Sequence, residues 1–257
     1  MHTQPKTVLV IPDAHVCPKQ NLDRFKWVAN LTLELAEECY QRNQELVVVQ
    51  LGDWADWNSL SSHDNCGNYK KDLQSLRKSQ ELYHDGIQGL KVRKVFTEGN
   101  HGTPRLRKLE STTPALTGLM DPVGDALFEE HGWEVYPFLE PVNIGGTLFC
   151  HYYSSGVMGR AIGGRNMARG MSMKLMTSAV AGHSHVMGLD FNNRPDGSVV
   201  QTLSAGVFCD PNEKVFQSWN PAGAAHYWAG LAVLRNVKGG AFDPQLISLS
   251  ALKRNYR

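Results

Sequence analysis

Residues 6–15 read KTVLVIPDAH: a continuous apolar run, Val8-Leu9-Val10-Ile11, stopped by Pro12 and followed at once by Asp13-Ala14-His15. An unbroken apolar run rich in β-branched residues suits a strand covered on both faces, as in a parallel sheet. Asp13 and His15 then fall at the carboxyl end of that strand, where open α/β sheets carry their chemistry. Working outward, Asn21 to Tyr40 places Leu22, Phe25, Val28, Leu31, Leu35 and Cys39 at helical spacing, with Asn21 as the expected N-cap. Glu45–Leu51 is a second strand, ended by Gly52. Tyr69, Leu73, Leu76, Tyr83, Ile87 and Leu90 mark a second amphipathic helix, and Val92–Thr97 a third strand. The order β-α-β-α-β builds a parallel sheet with right-handed crossovers. The polar stretch from Trp54 to Asn68 reads as a loop long enough to have a function of its own.

The second half has a different texture. A helix is expected from Asp121 to His131, introduced by Pro122. Short strands are expected at Trp133–Tyr136, Pro141–Ile144, Thr147–Cys150, Ala179–Ala181, Val186–Asn192, Ser198–Leu203 and Tyr227–Asn236, joined by Gly and Asn turns. Met158 to Met176 reads as a helical segment weakened by glycines. With no repeat and no linker-like tract, residues 1–257 are expected to form one domain. Of the 257 residues 42% are hydrophobic and 20% charged, enough apolar material for a sizeable core. The longest apolar runs are far too short to span a bilayer, and the N-terminus lacks the pattern of a signal peptide. Five scattered cysteines without a C-x-x-C pair suggest inert thiols in a reducing cytoplasm. The net charge of +1 excludes an overall basic bias of the kind seen in proteins that track many DNA phosphates, while leaving local basic patches open.

Five short segments stand out because each follows a strand: Asp13-Ala14-His15, Gly52-Asp53-Trp54-Ala55-Asp56, Gly99-Asn100-His101, the solitary His151, and Gly182-His183-Ser184-His185. Any one of them arises easily by chance. Aspartate, asparagine and histidine together, without thiolate, form a donor set for Mn, Fe, Zn or Ni. In this order the segments resemble the calcineurin-like metallophosphoesterase family (D-x-H, G-D-x-x-D, G-N-H, H, G-H-x-H), over the span from Asp13 to His185.

That resemblance implies a four-layer α/β/β/α sandwich of two mixed sheets flanked by helices. It implies two divalent transition-metal ions, manganese foremost, with iron, zinc or nickel as alternatives. Asp13, His15 and His185 would hold one ion and Asn100, His151 and His183 the other, with Asp53 bridging both. The reaction implied is hydrolysis of a phosphate ester by a hydroxide shared between the ions. His101 is expected to act on the substrate rather than ligate, and Asp56 to orient it. The glycines at 52, 99 and 182 are expected to let the chain turn sharply as each strand ends. One departure is Gly102, which stands where the family commonly has an acid; Glu98 is a weak substitute.

The substrate is less legible. A phosphodiesterase or nuclease acting on nucleic acid or nucleotides is the first expectation. A phosphomonoesterase for nucleotides, nucleic-acid ends or phosphoproteins is the alternative. Trp54 and Trp57 could stack a base if exposed, and Arg105 could clamp a phosphate. Arg165, with Arg160 and Arg169 in the glycine-rich segment 156–170, suggests a basic gate. His151-Tyr152-Tyr153, the run from Gly132 to Leu139 and Tyr227-Trp228-Ala229-Gly230 resemble metallophosphatases of tailed phages, which would place the chain in a host cytoplasm. No membrane partner is expected, and the oligomeric state is left open.

Overall fold

The computed structural model describes residues 4–61, 67–118, 125–213 and 221–257. The middle of the long loop, with His63 and Cys66, and the expected helix start at Asp121 and Pro122 lie outside them. In chain order come β1 (Lys6–Ile11), α1 (Arg24–Gln41), β2 (Glu45–Gln50), α2 (Tyr69–Gly86), β3 (Arg93–Thr97), α3 (Thr103–Thr112), α4 (Asp125–Glu130) and β4 (Trp133–Tyr136). There follow β5 (Val142–Ile144), β6 (Thr147–Cys150), β7 (Ser154–Ser155), β8 (Arg160–Ala161), α5 (Met167–Leu175), β9 (Ala179–Ala181), β10 (Met187–Asn193) and β11 (Val199–Ala205). A single turn α6 (Pro221–Ala224), β12 (Gly230–Lys238), β13 (Ala241–Ser248) and α7 (Leu249–Tyr256) complete the strands and α-helices among the described residues, with short 3-10 turns at Asn58–Leu60 and Pro114–Leu116.

Two mixed sheets result. One runs β13-β12-β1-β2-β3-β4, the other β10-β11-β9-β6-β5. β1 to β4 are parallel, and β12 closes onto β1 antiparallel. Because successive side chains on a strand point to opposite faces, each buried strand feeds two cores. Val8, Val10, Val47 and Val49 point toward the second sheet and pack with Phe149, Val180 and Leu203. Leu9, Ile11 and Val48 point the other way, into a core shared with Phe25, Val28 and Leu31 of α1 and Leu76 and Tyr83 of α2. α5 covers the outer face of the second sheet, where Met167 and Met171 meet Cys150, Ala179 and Ala181. The result is the expected α/β/β/α sandwich. No described helix is long and apolar enough to cross a membrane.

Several local expectations need correction. Asn21 does not cap α1. It forms a turn of its own, accepting from the Asp23 amide, and α1 starts at Arg24. The side chain of Asn68 does cap α2, accepting from the Lys71 amide. The helix expected from Met158 shrinks to α5, because the glycine-rich stretch before it forms the β7–β8 hairpin. Trp54 and Trp57 are buried, at 1% and 3% exposure, so neither offers a face to a substrate base. Trp54 donates from Nε1 to Ser79 Oγ and stacks on Phe25; Trp57 stacks on Tyr69. Their large apolar area is what draws them in.

Behind β4 the Trp133 indole donates to His84 Nε2 at 3.0 Å, and the His84 ring stacks on His131. Burial, with Lys94 and His131 adding to it, pushes His84 down to about 3. A depressed histidine stabilises the fold fully above about pH 6.5, its unfolded value, and that contribution drains away as pH falls toward the folded value. The urea midpoint is therefore expected to drop between pH 6.5 and 4.5, and to drop less in His84→Gln, which keeps an acceptor for Trp133. An identical pH slope in the two proteins would remove His84 from the account.

Candidate metal centre

All five motif segments meet at the carboxyl ends of β1, β2, β3, β6 and β9. The two leading loops are laced together by backbone. The Asp53 carbonyl accepts from the amides of Ala14 and His15, Val16 donates to Trp54, and Asp56 donates back to Val16. Four of the expected ligands, His15, Asp53, His183 and His185, have φ between 43° and 64°. Non-glycine residues pay of order 1–3 kcal/mol each for sparsely populated backbone, and such strain gathers at functional sites.

The glycines divide into two kinds, which corrects the expectation of three sharp turns. Gly52, at φ +89°, does turn the chain. Gly99 and Gly182 are needed for close approach instead. A Cβ on Gly99 would lie 2.0 Å from Asp53 Oδ1, and one on Gly182 would lie 2.1 Å from Asp13 Oδ1. Each bare glycine thus makes room for the carboxylate of another segment.

Those carboxylates are fixed by amides. Asp53 Oδ1 accepts from His101 N at 2.9 Å; Asp13 accepts from His183 N at 2.9 and 3.1 Å. Asp13 Oδ2, His15 Nε2 and His185 Nε2 form one group of converging donors, with Oδ2 3.2 Å from His185 and 3.7 Å from His15. The two imidazole nitrogens stand 2.9 Å apart. A cation binding each at about 2.1 Å would subtend roughly a right angle between them, an ordinary coordination geometry. Asn100 Oδ1 lies 2.8 Å from His151 Nε2 and 2.9 Å from His183 Nδ1, and Asp53 Oδ2 lies 3.3 Å from His151 Nε2. Asp53 also groups with His15, so it stands between the two sets.

The far sides of the rings fit the same use. His151 Nδ1 donates to the Leu51 carbonyl at 2.7 Å and His15 Nδ1 to Asp56 Oδ1 at 3.0 Å. Each leaves Nε2 with its lone pair turned inward, the arrangement that second partners impose on metal-binding histidines. The residues present therefore fit two divalent cations.

Electrostatics agree. Burial works to raise the Asp13 carboxyl, but His151 and His185 outweigh it and hold it at about 2. Asp53 is lowered well below its usual range by His101 and His151, again against burial. Burial favours neutral His151, yet Asp53 and Asp13 lift it to about 9. His183 is pushed down to about 4 by burial and by His151. His183 is thus held beside His151 against the repulsion between the two rings, while the carboxylates compensate His151.

His101 lies beside these groups. Its Nδ1 donates to the same Asp56 Oδ1 that His15 uses, at 3.0 Å, and its Nε2 accepts from Arg105 Nη2 at 2.9 Å. Asp56 is buried and held below the usual carboxylate range: burial opposes this, and its bonds to His101 and His15 prevail. Gly102 forms the N-terminal boundary of α3, its carbonyl accepting from the Arg105 amide. Where the family pattern has an acid, this chain starts a helix that delivers Arg105 to His101. Arg105 is anchored by the carbonyls of Asp56 and Trp57. Glu98 does not reach His101; it accepts from Thr103 Oγ1 and Phe138 N, tying down the start of α3. Arg165 is exposed, in the segment leading to α5.

Two residues escaped the sequence reading as parts of the site. The Tyr152 ring lies 4.6 Å from that of His183, and the Tyr227 ring 4.6 Å from that of His185. Tyr152 carries a weak signal, since it directly follows His151. Tyr227 carries none, because it is brought in from 42 residues beyond His185 by its place before β12.

No family model matches this chain, and no curated protein matches it. Among solved structures, a 5'-nucleotidase from Candida albicans SC5314 aligns with 100% of this chain and 54% of its own length, at 12% identity and TM-score 0.43. The chain thus spans about half the length of that protein. A likeness so distant adds nothing to the site, which rests on its own side chains.

Gly182→Ala, by displacing the Asp13 carboxylate, is expected to lower the metal held per chain after manganese loading, measured by elemental analysis. Asp53→Asn should lower it further, since that side chain stands between both donor sets. Full metal content in Asp53→Asn would show that Asp53 does not bridge.

Proposed function

We propose that this chain is a binuclear metal-dependent phosphoesterase acting on phosphodiesters, with nucleic acid or nucleotides as substrate. The observation that supports this best is the pair of buried donor sets meeting at Asp53, with His101 and Arg105 poised beside them. Manganese is the first expectation, with iron, zinc or nickel as alternatives; such ions supply Lewis acidity toward a phosphoryl oxygen and an activated water.

The chain's own groups do the rest. Asp13, His15 and His185 form one ligand set and Asn100, His151 and His183 the other. Arg105 Nη2 is the donor that a phosphoryl oxygen would take over from His101 Nε2, leaving that nitrogen open. Burial disfavours a charged His101, but Asp53 and Asp56 outweigh it and raise its proton affinity. His101 then holds a proton on Nε2 for the departing alkoxide while Nδ1 stays on Asp56. Asp56 ties this acid and the ligand His15 to one oxygen, so both keep one geometry.

The half-exposed Tyr152 and Tyr227 flank one histidine of each ligand set, so each of the two ester groups of a diester would have a ring to pack on, which favours a diester. A phosphomonoesterase is the second reading. It is favoured by Arg105, a guanidinium suited to the extra charge of a terminal phosphate.

With manganese, bis-p-nitrophenyl phosphate is expected to be turned over with a higher kcat/KM than p-nitrophenyl phosphate; the reverse order selects the monoesterase. His101→Ala should lower kcat by about 10²–10⁴-fold while retaining bound metal. Loss of a metal equivalent in that variant would mean His101 is a ligand.

A further inference from the structure

Between Glu140 and Asp190 the chain has no aspartate or glutamate, yet it carries Arg160, Arg165, Arg169 and Lys174. The near-neutral total thus conceals a division, since the remainder holds 22 basic and 25 acidic residues. All four cations are exposed. Arg160 and Lys174 line one open groove of about 600 Å³ with Ser155 and Gly156. The next acid along the chain, Asp190, lies on β10, which packs against α5, and it accepts from the Asn192 side-chain amide. The hairpin that walls this groove, β7–β8, follows β6 and the expected ligand His151 within a few residues, and the Ile162 amide ties it back to the Tyr153 carbonyl.

A second cleft, of about 540 Å³, is walled by Trp27, Tyr227 and Trp228, with two cations, Arg24 and Lys253, and two carboxylates, Asp210 and Glu213, along its lining. Tyr227 packs edge-on against His185, so this cleft too opens beside a ligand. Trp228 is held in place by backbone. A Cβ on Gly206 or Gly230 would come within 2.6 Å of its indole, so both glycines clear space for that ring. One cleft thus offers aromatic walls, the other offers cations with no acid in its lining, and a half-exposed tyrosine lies beside each expected ligand set.

We propose that the two clefts, joined across the metal centre by Tyr227 and Tyr152, form one track for a single-stranded polynucleotide. Unpaired bases stack on the aromatic rings while the phosphates on the far side of the centre run along Arg160 and Lys174. Bases within a duplex have no free face to give, so the aromatic half of the track selects single strands. This rests on the phosphodiesterase reading for what happens at the centre, but binding can be measured without it.

A fluorescently labelled 20-nucleotide strand, and the same strand in a duplex, are titrated with the full chain in EDTA across a range of KCl, followed by anisotropy. The single strand should bind more tightly than the duplex. Arg160→Ala/Lys174→Ala should lower the salt slope of the strand by about 1.4, at roughly 0.7 per phosphate contact. Tyr152→Ala should weaken strand binding by about tenfold with the slope retained, and Tyr152→Phe should restore it. Equal or tighter duplex binding, or an unaltered slope in the double variant, overturns the track. So does binding of that face to phosphatidylserine vesicles in place of the strand. Hydrolysis of bis-p-nitrophenyl phosphate by wild type with manganese is the separate control. Hydrolysis without strand binding removes the track alone, and strand binding without hydrolysis of any ester removes the phosphodiesterase reading alone.

Discussion

Three carboxylates, Asp13, Asp53 and Asp56, are buried within one cluster of imidazoles, and the rest of the architecture answers to that fact. Isolated buried charges are ruinously unfavourable, so each oxygen needs an opposing charge or donor. Amides of His101 and His183 supply donors to Asp53 and Asp13, and ring nitrogens of His15 and His101 supply them to Asp56. The carboxylate oxygens of Asp13 and Asp53 also face ring nitrogens of His185 and His151, an arrangement that two cations would complete.

Holding that cluster requires both sheets. Asp13, Asp53 and Asn100 leave the first sheet at the ends of β1, β2 and β3; His151, His183 and His185 leave the second after β6 and β9. The valine-lined core between the sheets therefore sets the distance between the two halves of the metal centre. The same packing offsets the strained backbone at four ligands, which local sequence alone would not adopt. Gly99 and Gly182 complete the fit, since each carboxylate from one segment sits against the bare Cα of another.

Asymmetry around the centre matters as much as the centre itself. α3 begins at Gly102 and brings Arg105 onto His101, so a helix takes the place of the acid that the motif pattern would supply. The acid-free run from Pro141 to Leu189 carries its four cations exposed, while Tyr227 and Trp228 wall a separate aromatic cleft. A net charge of +1 says nothing about this division, because it is spatial.

The early strands, the two long helices and the ligand types were all legible in the chain, because buried parallel strands are continuous apolar runs and metal donors are chemically distinctive. Thr147–Cys150 and Ala179–Ala181 were equally clear, as each is a short apolar run. β13 and α7 gave no such signal: β13 is an edge strand carrying Pro244 and largely exposed, so no alternation marks it. The fate of Trp54 and Trp57 was also invisible, since an indole reads alike in a loop and in a core until its neighbours are known. Residue order alone thus determined which side chains could hold cations. Tertiary structure decided which oxygens and nitrogens face one another, which glycines are clearances and which tyrosines flank the site, because those depend on distances between segments remote along the chain.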